Sequence, residues 1–305
     1  MADVLVCNRE ALVENIASFV AHKSGVRLDA AQACVEDVLD ALGPAAVDAL
    51  RARLSASADA WSYYTADPVA REIHYAMAPL VLKHPPQALG IENLDAVRNR
   101  PVVIVSNHLS YSDANVIQVL LHQCGRRDIT ERLTVVAGPK VYSALPRRFS
   151  SLCFGTIKSP QNESVSSGEA AMPAREVALA ARDTIAAAEA RLRMNDALLL
   201  FPEGTRSRTA GMQPFLAGIS RYFELDELWI VPMGLQGTER MFAIGEEKLA
   251  SVPIVLTIGA PIPVSDLRDR AGSDRRAFVD GLGRAVAAVL PLEFRGCYEA
   301  GERAN

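Results

Sequence analysis

The sequence is short of the marks that define several protein classes. Five cysteines, Cys7, Cys34, Cys124, Cys153 and Cys297, form an odd set without a C-x-x-C pair, which argues against a disulfide framework or a zinc site and for a reducing cytosol. No stretch approaches the roughly 18 consecutive apolar residues of a spanning helix. The best, YAMAPLVL (75–82), reads as the buried end of a helix or as a segment lying on a membrane. The opening MADVLVCNRE has no basic segment leading into an apolar one, so no signal peptide is expected. A net charge of −4 leaves no overall footprint for nucleic acid. A G-x-S-x-G elbow, a G-x-x-x-x-G-K-[ST] loop, H-E-x-x-H and a post-strand G-x-G-x-x-G are all missing. Serine esterase, P-loop NTPase, zinc protease and Rossmann dehydrogenase are therefore disfavoured.

What is present suggests two units in 305 residues, enough for one sizeable core and a smaller addition. EALVENIASFVAH, LDAAQACVEDVLDALG and PAAVDALRARLSA place apolar residues three and four apart, the period of amphipathic helices. Gly43-Pro44 is a stop and restart between two of them. Residues 1–75 are expected to be a helical unit and 76–300 the main domain. From Pro101 onward the pattern changes to short apolar runs, VVIVS (102–106), LTVVAG (133–138), ALLLF (197–201), LWIVPM (228–233) and PIVLTIG (253–259). Helix-like stretches such as ANVIQVLLHQ, AREVALAARDTIAAAEARL and FLAGISRYFE lie between them, and RAFVDGLGRAVAAVL reads as a closing helix. Continuous apolar runs joined by helices predict an α/β fold with a mostly parallel sheet flanked by helices. The Ser-rich SPQNESVSSGEA (159–170) reads as a surface loop.

Two polar clusters follow such runs. In NHLSYSD (107–113), His108 and Asp113 stand five residues apart. An imidazole can take a proton from a hydroxyl while a carboxylate on its other nitrogen fixes the tautomer. The plainer alternative is that Ser112 or Asp113 caps the helix that follows. In FPEGTRSRT (201–209), Arg206 and Arg208 are two apart and share a side of an extended segment, which suits a phosphate. Glu203-Gly204-Thr205 is a turn whose glycine allows close backbone approach to a ligand. A surface turn with solvated arginines is the alternative. If the two preceding strands are neighbours, both clusters face one crevice at the carboxyl edge of the sheet. A third feature is basic: Arg126, Arg127, Arg132, Lys140, Arg147, Arg148 and Lys158, with Tyr142, Leu145 and Phe149 interleaved. Such a face meets an anionic membrane surface or a phosphorylated ligand, or is simply solvated.

NHLSYSD, FPEGTRSRT and VPMGLQGTE (231–239) together resemble the glycerolipid acyltransferase family, over roughly 85–265. Asn107, His108 and Asp113 match its N-H-x4-D block, Phe201 to Ser207 its F-P-E-G-T-R-S block, and Val231-Pro232 its fourth block. The resemblance implies that His108 deprotonates a glycerol hydroxyl, which attacks the thioester of acyl-CoA or acyl-carrier protein, with Asp113 orienting His108. It implies acceptor binding by Glu203, Gly204 and Arg206, with Asn107, Thr205, Arg208 and Pro232 in the same substrate-binding set. Backbone N–H groups would meet the oxyanion; no metal, cofactor or covalent acyl-enzyme is required. The family's second block usually ends in arginine, whereas CFGTIKSP supplies Lys158, a point charge rather than a bidentate fork.

The resulting expectation is an O-acyltransferase acting on 1-acylglycerol 3-phosphate, cytoplasmic and peripheral to the membrane. The alternatives are glycerol 3-phosphate as acceptor, as in plastid-type relatives that also carry N-terminal helices, or another lysophospholipid. A thioester hydrolase and a non-enzymatic phospholipid-binding protein are the readings from other classes. The first would release fatty acid without acceptor, and the second would have no need of a base.

Overall fold

The structure is a computed structural model and describes residues 8–56, 63–138, 145–160, 174–241 and 248–299. Most of the Ser-rich stretch, with Lys140 and Tyr142, lies outside the described residues.

The five apolar runs are five strands: β3 (Val102–Ser106), β4 (Leu133–Ala137), β6 (Ala197–Leu200), β7 (Trp229–Gln236) and β8 (Val255–Ile258). Four further strands complete the sheet, β1 (Tyr63–Tyr64), β2 (Gln87–Leu89), β5 (Gly155–Lys158) and β9 (Ile262–Pro263). The order is β1-β5-β4-β6-β3-β7-β8-β2, with β9 also on β7. β5, β4, β6, β3 and β7 run parallel; β1, β8 and β9 pair antiparallel with their neighbours β5 and β7. The sheet is thus mixed and mostly parallel.

Side chains alternate across a strand, and here both faces are covered. Val102 and Ile104 point into one core with Leu133, Val135, Leu199 and Val231. Val103 and Val105 point into the other with Leu198, Leu200 and Ile230. Double burial is why the strands read as unbroken apolar runs, and each fully buried aliphatic side chain contributes ~1.5–3 kcal/mol. The first face is roofed by α1 (Arg9–Ser24), α2 (Leu28–Leu42), α3 (Pro44–Ser55), α4 (Pro68–Val81), α5 (Asp113–Gln123) and α6 (Leu145–Leu152). The second is covered by α7 (Ala174–Arg193), α8 (Val264–Ala271) and α9 (Arg275–Ala287).

Gly43 closes α2 and Pro44 opens α3, as the stop and restart signal requires. The division expected at 75/76 falls inside α4. Leu12, Val35, Leu50 and Ile73 share one buried cluster with strand residues, so the helical segment is continuous with the sheet's core. FLAGISRYFE, expected to be α-helical, is a 3₁₀ segment over Ala217–Phe223. Its start is held from outside: the N–H of Phe215 donates to the Tyr298 hydroxyl and that of Leu216 to the Pro202 carbonyl, and Gly218 adds poor helix propensity. No helix among the described residues is long and apolar enough to cross a membrane.

Candidate active site

β3 and β6 are hydrogen-bonded parallel neighbours, with Val102 opposite Ala197 and Val105 opposite Leu200. The loops that leave their carboxyl ends therefore start side by side. One carries His108 and the other Glu203.

His108 Nδ1 lies 2.9 Å from Asp113 Oδ2. The same oxygen accepts the N–H groups of Leu109 at 2.6 Å and Ser110 at 2.8 Å. Asp113 is fully buried, while 17% of the His108 side chain remains exposed. In the neutral ring, Nδ1–H donates to the carboxylate and Nε2 carries the lone pair. Neither expected cap is made: Ser112 forms no side-chain cap bond to α5, and Asp113 turns back toward its own loop. Phe201 stacks against the imidazole with centroids 4.5 Å apart.

Glu203 joins the two loops. Its Oε1 accepts the N–H of His108 at 2.8 Å and its Oε2 that of Gln213 at 2.7 Å. Burial pushes its carboxyl up to about 7, against the pull of those two donors and of the His108 ring. A second link runs from the Ser207 N–H to the His108 carbonyl, at 2.8 Å. Gly204 has φ +70, and a Cβ there would lie 2.5 Å from Leu216 Cδ1. Thr205 and Arg208 are exposed and Arg206 is half-buried. The Arg206 guanidinium sits over the ring of Tyr111, 3.7 Å from its centroid.

Four residues expected to bind a ligand have the following places. Asn107 is fully buried, its amide donating to the Leu235 carbonyl at 2.9 Å and accepting the Leu235 N–H at 2.8 Å. It extends the β3–β7 ladder by side chain. Pro232 is buried in β7 opposite Val105, where β7 changes its second partner from β9 to β8. A residue without an N–H suits that break in the ladder. Glu203, expected at the acceptor, has both carboxyl oxygens on loop N–H groups, one of them that of His108. Lys158 ends β5 on the same sheet edge, level with Ala137, but three strands from β3, about 14 Å at the usual spacing.

Part of the basic region is internal. Arg126 is 6% exposed and pairs with Asp95 and Asp128. Arg132 donates to the carbonyls of Val97, Asp128 and Asn195. Arg148 donates to those of Leu54 and Ala56. These three tie elements of the fold together, so they drop out of the basic face expected from sequence, whereas Arg127 and Arg147 are exposed. Tyr111, Phe201 and Gln213 were not singled out in the sequence. The first two lie inside the motif stretches, whereas nothing local marks Gln213.

An imidazole held by a buried carboxylate, at the carboxyl edge of a mostly parallel α/β sheet, is the equipment of a histidine-base group-transfer enzyme. The family model described as Acyltransferase matches residues 88–236, so this stretch of the chain is similar to an acyltransferase domain. A 1-acyl-sn-glycerol-3-phosphate acyltransferase from Cocos nucifera is 35% identical over 79 residues, 26% of this chain and 26% of the relative. One from Limnanthes douglasii is 39% identical over 72 residues, 24% of this chain and 26% of the relative. The chain thus matches about a quarter of the length of these curated relatives. The crystal structure of the 1-acyl-sn-glycerophosphate (LPA) acyltransferase, PlsC, from Thermotoga maritima aligns over 95% of this chain and 96% of that one, with a TM-score of 0.52 and 14% identity. That likeness is one of fold.

Proposed function

We propose that the protein transfers a fatty acyl group from a thioester, acyl-CoA or acyl-carrier protein, to the free hydroxyl of 1-acylglycerol 3-phosphate. The observation that carries this reading is the 2.9 Å contact of His108 Nδ1 with buried Asp113, which leaves Nε2 as a base. The named relatives support the choice of acceptor.

In the proposed reaction Nε2 removes the hydroxyl proton as the oxygen attacks the thioester carbonyl. Asp113 stabilises the imidazolium that results. The tetrahedral intermediate collapses to an ester and a thiolate, which recovers the proton from Nε2. The N–H groups of residues 108–110 are already taken by Glu203 and Asp113. Among the described residues, no hydrogen bond uses those of Thr205 and Arg206, so the oxyanion is assigned to that turn. The reaction includes no metal or acyl-enzyme. Because the acceptor is a lipid, the protein works at a membrane surface, with the cytoplasmic face as the proposed location.

The test is acyl transfer by the purified protein from a labelled thioester, with lysophosphatidate, glycerol 3-phosphate or no acceptor. Product with lysophosphatidate supports the reading. Product with glycerol 3-phosphate alone moves the acceptor, and fatty acid released without acceptor makes the protein a hydrolase.

A further inference from the structure

We infer that Tyr298, in the segment that follows α9, is a positioning residue for the base: it holds down the stretch of loop to which the Glu203–His108 link is fastened. The inference rests on the acyl-transfer reading. It adds a residue far beyond the stretch that the family model matches, which ends at 236.

The link is a short chain of hydrogen bonds. The His108 N–H donates to Glu203 Oε1, and Glu203 Oε2 accepts the Gln213 N–H. Gln213 stands in an irregular stretch, 212–216, that belongs to no helix or strand. Residues on both sides of it are held by the segment after α9. The Met212 N–H donates to the Phe294 carbonyl at 2.9 Å, and the Met212 carbonyl accepts the Cys297 N–H at 3.1 Å. The Phe215 N–H donates to the Tyr298 hydroxyl at 3.0 Å. Of these three bonds only the last is made by a side chain, so only it depends on which residue stands there.

The ring that carries this hydroxyl is itself seated. It packs edge-on against the buried Phe215, with centroids 5.4 Å apart. It also fills a notch in α9 at Gly283, where a Cβ would collide with Tyr298 Cζ. The notch accounts for a glycine, a poor helix former, in the interior of α9. Arg276, from the first turn of the same helix, donates to the Phe215 carbonyl at 3.1 Å, so α9 secures the stretch directly and through Tyr298. The segment lies close to the link in charge as well. Burial raises the Cys297 thiol, and the Glu203 carboxylate adds to that rise. A misplacement of about 1 Å in a reacting group can cost a hundredfold in rate. A side chain that never touches the substrate can therefore govern kcat from this distance.

Tyr298→Phe in the full chain tests this, because it removes the hydroxyl and keeps the ring in its notch. Tyr222→Phe, which removes a hydroxyl from the neighbouring 3₁₀ segment, is the control. The first readout is hydrogen exchange at the His108 amide, taken as a ratio to the amides of β3. A purely structural loss speeds both together, whereas a loosened link speeds His108 alone. Tyr298→Phe is expected to raise the ratio about tenfold, and Tyr222→Phe to leave it unchanged. The second readout is acyl transfer to lysophosphatidate, where Tyr298→Phe is expected to lower kcat about tenfold with both KM values within twofold. A ratio that does not rise, an equal rise in the control, or a wild-type kcat in Tyr298→Phe overturns the inference. If the wild type transfers no acyl group, the activity reading fails instead, and the exchange ratio alone decides whether Tyr298 holds the His108 loop.

Discussion

Glu203 accepts the backbone N–H of His108 at 2.8 Å across 95 positions of sequence. Through that bond the loop after β6 sets the height of the loop after β3. A buried carboxylate spent on two N–H groups is a brace, and it explains a glutamate that sits 4% exposed in a motif otherwise rich in surface residues.

The brace carries a pH signature. The Glu203 carboxyl rises from 4.5 to about 7 on burial, so between those values the folded chain holds a proton that the unfolded chain has released. Stability therefore falls as pH rises through that window, by roughly 3 kcal/mol in full. Glu203→Gln has no such titration. The unfolding free energy of the wild type, minus that of the variant, is expected to decrease between pH 5 and pH 8 in urea titrations. A difference independent of pH would mean that burial does not perturb this carboxyl.

His108→Ala is expected to reduce kcat by about 10²–10⁴ with little effect on the thermal midpoint, since the ring is partly exposed and its main packing partner is Phe201. Asp113→Asn places an amide where one oxygen accepts three N–H groups. It is expected to lower kcat comparably and also to loosen the loop. Full activity in His108→Ala would remove the base from the mechanism.

Asn107 behaves as part of the ladder. Asn107→Ala leaves the Leu235 N–H and carbonyl without these partners in a buried place, at about 2–4 kcal/mol for the pair. Chemical denaturation is expected to show that loss, while the acceptor KM of the folded fraction stays within twofold of wild type. A large KM change with unaltered stability would return Asn107 to the substrate.

Much of this was legible beforehand. The runs at 102–106 and 133–138 are β3 and β4 almost to the residue, because burial on both faces leaves an unmistakable apolar signature. His108 and Asp113 do meet. β1, β2 and β9 are too short or too irregular to carry a period of two, and they exist through pairing with longer neighbours. The inward turn of Asn107 and Glu203 was hidden for a different reason. Their partners, Leu235 and His108, lie 128 and 95 residues away, and a motif does not say whether a polar side chain faces a ligand or a distant backbone.

Gly204 holds φ +70 beside Leu216. Gly204→Ala is expected to cost about 1–2 kcal/mol from the left-handed backbone alone, with a further loss from the Leu216 contact. Combining it with Leu216→Ala relieves only the second part. Thermal denaturation of both variants separates the two, and a complete rescue would show that the backbone tolerates a side chain there.

Arg148 decides between two readings of the basic stretch. A lipid-facing arginine contributes to membrane binding in a salt-dependent way. One that donates to the Leu54 and Ala56 carbonyls at 2.6 and 2.9 Å contributes to folding, because it satisfies groups at the end of α3 that have no partner within the helix. It is 9% exposed, so its charge is withdrawn from any surface. Arg148→Ala is expected to lose about 2–3 kcal/mol of stability while co-sedimentation with anionic vesicles stays unchanged across salt. Arg127→Ala, at an exposed position, is the control and is expected to leave stability within about 0.5 kcal/mol. Weakened vesicle binding by Arg148→Ala at full stability would place this arginine on the membrane after all, and would require α6 to swing away from α3 when it docks.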